Sequence, residues 1–149
     1  MLTDQIPIIQ HGLRRVLYWS NADQRMDFTT IADTAAFTAR AALDGTTPRW
    51  LRIAGDRVSA RDIAGILSAV HGERYGTLPA GTLGTLKLTV ALAPGGNALY
   101  PAWQGMQYMR NMFAGEGRLE EPLDNGRYPG LTWTRVADVL RRDPRRPGR

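Results

Sequence analysis

Cysteine is absent from the 149 residues, which excludes disulfides, thiolate nucleophiles and cysteine-ligated zinc. Long apolar runs are absent too. Nothing approaches the roughly 18 residues that a membrane-spanning helix needs. The first ten residues carry Asp4 and place no basic stretch ahead of an apolar one, so they do not read as a secretory signal. The cytoplasm is therefore the expected location. Histidine is scarce: His11 and His71 stand far apart in the chain without a clear carboxylate partner, and no metal site is expected. There is no Gly-x-Ser-x-Gly nucleophile elbow. Nor is there a Gly-x-Gly-x-x-Gly phosphate loop. The nearest string runs from Gly81 to Lys87, ends in lysine and has no expected strand in front of it, so its glycines are read as loosening a helix start.

What is present is ordinary for a globular chain: 43% apolar and 22% charged residues, enough for one domain with one core. The net charge of +5 is local. Five arginines fall between Arg141 and Arg149, and residues 1–140 carry only +1. Arginine outnumbers lysine 18 to 1, which points to codon bias more than to a selected basic surface. With no interleaved aromatics and no reading motif, nucleic acid is an unlikely partner, and residues 143–149 are expected to be a disordered basic tail.

Along the chain, residues 2–11 suggest a short helix interrupted by Pro7. Arg14–Trp19 reads as a strand, rich in β-branched and aromatic residues, and Met26–Thr29 as a second short extended piece. Thr30 and Asp33 have capping-box spacing ahead of a helix to about Leu43, with Ala36, Ala39, Ala42 and Leu43 spaced for a packed face. Arg49–Gly55 reads as a clear strand. Ser59 and Asp62 repeat the capping spacing before a helix that ends at Gly72. This alternation predicts an α/β protein with parallel strands. Helices are then predicted over 78–93, from Tyr100 to Phe113 with Pro101 in the first turn, and from Leu131 to about Arg142 with Thr132 as cap. Asn125-Gly126 and Pro129-Gly130 read as turns.

Four strings carry a family resemblance: RMDFTTIADTAAFTARAALD (25–44), PRWLRIAGDRVSARDIAGIL (48–67), YPAWQGMQYMRNMFAGEGRL (100–119) and NGRYPGLTWTRVADVL (125–140). Over about residues 5 to 142 the chain resembles the C-terminal half of NmrA-like proteins, atypical relatives of the short-chain dehydrogenases. The resemblance implies the substrate-side C-terminal lobe (1–142) of a Rossmann-like NAD(P)-binding fold, with two or three strands and about five helices. The family's Gly-rich βαβ half, and the lysine or tyrosine–lysine groups some members use for proton transfer, match no position here. No catalytic or cofactor-binding residue is therefore assigned. NAD or NADP is expected to serve the intact family, not to bind tightly to this chain alone.

On a helix, Trp103, Gln107 and Arg110 share one stripe, as do Gln104, Tyr108 and Asn111. Amide and phenol groups converging over an apolar floor can orient a polar substrate. Trp103, Gln104, Gln107, Tyr108 and Asn111 are the candidate substrate-binding residues, with Met106, Met109 and Met112 as adaptable neighbours. The plain alternative is a core helix with its polar residues outside. Asp33 and Asp62 are explained as caps, not as a catalytic pair. Two functions follow from the resemblance: an oxidoreductase's substrate lobe, inactive alone and taking a small organic substrate, or a non-catalytic regulatory module that binds a protein partner. Unpaired strand edges are expected to favour self-association.

Overall fold

The computed structural model describes residues 8–92 and 102–143, with the side chains of 89–92, 102 and 103 outside that description. Among the described residues there are five short strands and five α-helices, strands leading and helices closing the chain. In chain order they are β1 (Ile9–Gln10), β2 (Arg15–Trp19), β3 (Met26–Phe28), α1 (Ile31–Leu43), β4 (Asp56–Val58), α2 (Ala60–His71), β5 (Gly76–Gly81), α3 (Leu83–Leu92), α4 (Ala102–Ala114) and α5 (Val136–Arg142). The class is mixed α/β, with more and shorter strands than the two or three expected. No helix among the described residues is long and apolar enough to cross a membrane.

The strands form two sheets, ordered β1-β2-β5 and β3-β4. β1 runs antiparallel to β2, pairing Ile9 with Val16, where residues 2–11 had suggested a helix; residues 1–7 lie outside the described residues. β2 runs parallel to β5, with Val16 opposite Thr77 and Leu17 opposite Leu78. The expected parallel pairing is present, but its second member is Gly76–Gly81, not Arg49–Gly55. The predicted helix over 78–93 accordingly begins only at Leu83.

Arg49–Gly55 is not a strand, and the reason is local. Asp124 accepts from the Arg52 N–H at 2.7 Å, and its own N–H donates to Arg52 O at 2.7 Å. Asn125 does the same for Ala54, accepting its N–H at 3.1 Å and donating Nδ2 to its carbonyl at 2.7 Å. The turn at Asp124–Gly126, with three side-chain bonds and one backbone N–H, thus takes the bonds that a neighbouring strand would have made. Ladder pairing begins only at Asp56, opposite Phe28.

The two caps behave as spaced, but not identically. Ser59 and Asp62 form a full reciprocal box, and α2 ends at Gly72 in the left-handed conformation, φ 72°. Thr30 caps α1 through the Asp33 N–H, whereas the Asp33 carboxylate turns away to receive Thr134 N–H and Thr134 Oγ1, each at 3.0 Å. That pull, with Trp133 packed 5.9 Å from Phe37, holds residues 131–135 out of a helix. α5 therefore starts at Val136 with Arg135 as its cap, five residues later than the predicted Leu131, and Thr132 caps nothing.

One core joins these pieces. Val16 of β2, Met26 of β3, Ile63 and Leu67 of α2, Met109 of α4 and Leu140 of α5 are essentially inaccessible. α1 contributes only Phe37. Ala36, Ala39, Ala42 and Leu43, expected to be its packed face, are all exposed. Asp143 caps the C-terminus of α5, and the rest of the basic tail lies outside the described residues.

Candidate functional site

Two adjoining hollows of about 240 and 360 Å³ share Asp27, Thr29 and Tyr108. The first continues along Phe28, Thr30, Thr134, Val136 and Val139. The second continues along Ile53, Asn111, Met112, Gly117 and Leu119. Together they make an open cleft between the end of β3, one face of α4 and the start of α5. Its size is at the lower end of small-molecule sites.

α4 sets the cleft's polar side through its periodicity. Met109, Met112 and Phe113 turn inward, with Phe113 5.4 Å from Trp19, so Tyr108 and Asn111 are left on the adjoining face. Tyr108 borders both hollows and Asn111 the second. Gln104 and Gln107 are exposed and line neither. The side chain of Trp103 lies outside the described residues, as do Tyr100 and Pro101, which were to open the helix. The stripe is thus divided: of the five candidates, Tyr108 and Asn111 meet at a concave surface. The cleft wall desolvates the Tyr108 phenol and holds it above its ordinary value, although the side chain is 53% exposed. It stays neutral, a donor as well as an acceptor.

The opposite wall was not found from sequence. Phe28, Thr29 and Thr30 were read only as an extended piece and a cap, and Thr134, Val136 and Val139 only as parts of a helix. The sole signal was the turn from β3 into α1, which leaves two successive threonines at the end of a strand.

The charges around the cleft are already engaged. Asp27 is clamped by Nε and Nη2 of Arg57 and accepts the Leu119 N–H at 2.7 Å. Arg57 also reaches Glu121 at 2.6 Å and Leu119 O at 2.9 Å, and the carboxylates of Asp27, foremost, and Glu121 hold its guanidinium pKa up. Asp33 is occupied by Thr134. No carboxylate lining the described cleft is left over for proton transfer, and neither histidine is near it. What the cleft offers is hydroxyl and amide hydrogen bonding beside the apolar Ile53, Met112, Val136 and Val139.

The other motifs resolve as follows. A strand, β5, does precede Gly81, contrary to expectation, but the turn it leads into is filled by its own side chains. Thr82 N–H donates to Thr85 Oγ1 at 2.9 Å and Thr85 N–H to Thr82 Oγ1 at 3.1 Å. A Cβ on Gly81, φ 142°, would lie 2.5 Å from Thr85 Oγ1, so glycine serves this tight cap. His11 and His71, distant in sequence, are neighbours in space with ring centres 5.9 Å apart, and His11 Nδ1 lies 3.2 Å from Tyr75 Oη. Among the described residues no group of three or more histidines and acidic residues is placed to hold a metal ion.

No family model matches the chain, and no curated protein is significantly similar to it.

Proposed function

We propose that the chain is the substrate-binding lobe of an NmrA-like NAD(P)-dependent oxidoreductase and holds a small, uncharged organic molecule in the Tyr108–Asn111 cleft. The observation that carries this is the cleft's chemistry: hydroxyl and amide groups over an apolar floor, with Asp27 and Asp33 already spent on Arg57 and Thr134. Such a surface orients a ligand and has no group of its own to move protons. In this reading the redox chemistry is the nicotinamide's, and the lobe positions a carbonyl or alcohol against it, with Tyr108 and Asn111 donating to the ligand's oxygen. The resemblance of residues 25–44 and 100–119 to that family is the other support.

Thermal-shift and NMR titration with a panel of small aromatic and aliphatic carbonyl compounds tests the reading. Binding is expected to perturb Tyr108, Asn111 and Thr29. Tyr108→Phe and Asn111→Ala are each expected to weaken it by about tenfold, the worth of a good hydrogen bond. NADPH oxidation by the isolated chain, or a ligand footprint elsewhere, would sink it.

A second reading, a non-catalytic module that binds a protein partner, is favoured by one observation: α1 and Trp50 leave a broad apolar surface uncovered.

A further inference from the structure

We infer that the start of β5 carries a second binding site, for the phosphoryl group of a phosphate ester or of free phosphate, built from Arg15, Arg74 and the backbone N–H of Thr77. The site shares no residue with the Tyr108–Asn111 cleft and does not rest on the redox reading.

The first observation is a basic hollow. A depression of about 420 Å³ is bordered by Arg15, Arg74, Gly76 and Thr77, and no acidic residue lines it. Three arginines stand at this corner, and one of them is neutralised: Arg14 Nε lies 2.6 Å from Glu73 Oε2. Arg15 and Arg74 are exposed and have no acidic partner among the described residues.

The second observation is the way Arg15 is held. The chain enters β2 through Arg14 in the left-handed conformation, φ 52°, and there the two arginines part. Arg14 turns to Glu73. Arg15 folds over Gly76, its partner across the β2–β5 ladder: a Cβ on Gly76 would lie 3.4 Å from Arg15 Nη1 and 3.6 Å from Cδ and Cζ. Nη1 also donates to Arg14 O at 3.1 Å. The guanidinium is thus held at the strand, with most of its N–H groups still to be bonded.

The third observation is a backbone donor. Gly76 gives its N–H to Arg14 O at 3.0 Å, and Leu17 gives its N–H the other way, to Ile8 O at 2.7 Å. Those two bonds fix the phase of the ladder. Gly76 and Leu78 turn their polar groups to β2, and Thr77 and Pro79 turn theirs outward. β5 is the last strand of its sheet, so the Thr77 N–H meets no neighbour among the described residues. Pro79 has no N–H to offer, which blunts the edge against a further strand. One outward donor is left beside two guanidinium groups without counter-charge.

Two positive charges and a backbone donor around one hollow suit a tetrahedral dianion better than a planar carboxylate, which a single arginine already satisfies in bidentate fashion. A phosphoryl group carries about −1.5 to −2 charges at neutral pH and three acceptor oxygens, one for each donor group.

The test is a titration of the full chain with inorganic phosphate and with phenyl phosphate, at constant ionic strength set with chloride, read by the amide shift of Thr77. A saturable shift is expected. Arg15→Gln and Arg74→Gln are each expected to raise Kd by about tenfold, the worth of a charge-assisted hydrogen bond. Both are expected to leave the melting temperature unchanged, because the side chains are exposed. Arg40→Gln removes the same charge from α1 and is expected to leave Kd as it is. Tighter binding of phenyl phosphate assigns the site to an ester and tighter binding of inorganic phosphate to the free ion, and either order supports the proposal. A shift that does not saturate, one that chloride alone reproduces, a footprint away from Thr77, or an equal loss in Arg40→Gln would each overturn it in favour of diffuse attraction to a basic surface.

Discussion

Asp33 and Thr134, 101 residues apart, are joined twice: the carboxylate of Asp33 receives both the backbone N–H and the hydroxyl of Thr134 at 3.0 Å. A side chain whose spacing marks it as a helix cap is spent on a tertiary tie, and the tie decides where α5 begins. It also positions Thr134 at the cleft.

Asp33→Ala is expected to cost about 1–3 kcal/mol, because it leaves the half-buried Thr134 N–H without an acceptor. Asn at this position keeps an acceptor and is expected to lose less. Urea unfolding of both variants checks this; equal losses would mean that charge, not the hydrogen bonds, is what Asp33 supplies.

Arg57→Met is expected to destabilise by about 3–5 kcal/mol, since it strands the Asp27 carboxylate, whose side chain is 7% accessible. The double variant with Asp27→Leu is expected to recover part of the loss. No recovery in a double-mutant cycle would show that Arg57 acts through Glu121 and Leu119 instead.

His71 has both ring nitrogens buried without a hydrogen-bond partner among the described residues, packed beside His11 and 5.6 Å from the Tyr75 ring. Phenylalanine keeps the ring and removes the unmet polar atoms. His71→Phe is expected to leave stability unchanged or raise it by up to about 1 kcal/mol. A clear destabilisation in calorimetry would reveal a polar role for the imidazole.

Asp44 is held well below the usual carboxylate range, first by the Thr46 hydroxyl, then by the Thr46 N–H and the Arg127 guanidinium. A carboxyl depressed in the folded chain contributes stability that is present above its unfolded value, about 4, and lost as pH falls through the lowered one. Thermal melts from roughly pH 6 to pH 2 should therefore show the wild type losing its advantage over Asp44→Asn only below about pH 4. A difference between the two that is constant across this range would contradict the assignment.

The caps of α1 and α2, the glycine stop of α2 and the strand β2 were legible because each is encoded within a few residues: Thr30 with Asp33, Ser59 with Asp62, Gly72 after His71. Arg49–Gly55 was not, since its apolar pattern is that of a strand and only Asp124 and Asn125, some 70 positions away, determine that its bonds go to side chains. The start of α5 failed for the same reason. One wall of the cleft could be read from the stripe on α4, because helical periodicity alone places Tyr108 and Asn111 on neighbouring positions of one face. Its other wall comes from Thr29, Thr30 and Thr134, whose convergence depends on the tertiary tie. The alanine spacing on α1 was read as a packed face, yet Ala36, Ala39, Ala42 and Leu43 are exposed; local pattern cannot say whether a face is covered by the same chain.

The parallel pairing of β2 with β5 carries a consequence in time. Trp19 and Gly76 bracket β3, α1, β4 and α2, so the first β2–β5 bond closes a loop that contains all four elements. Each capped helix can form from neighbours in sequence, whereas the sheet waits on a long-range closure that brings Arg15 opposite Gly76. Folding of this chain is thus expected to be paced by the arrival of Gly76–Gly81, with the two helices already turning while β2 is still searching for its edge.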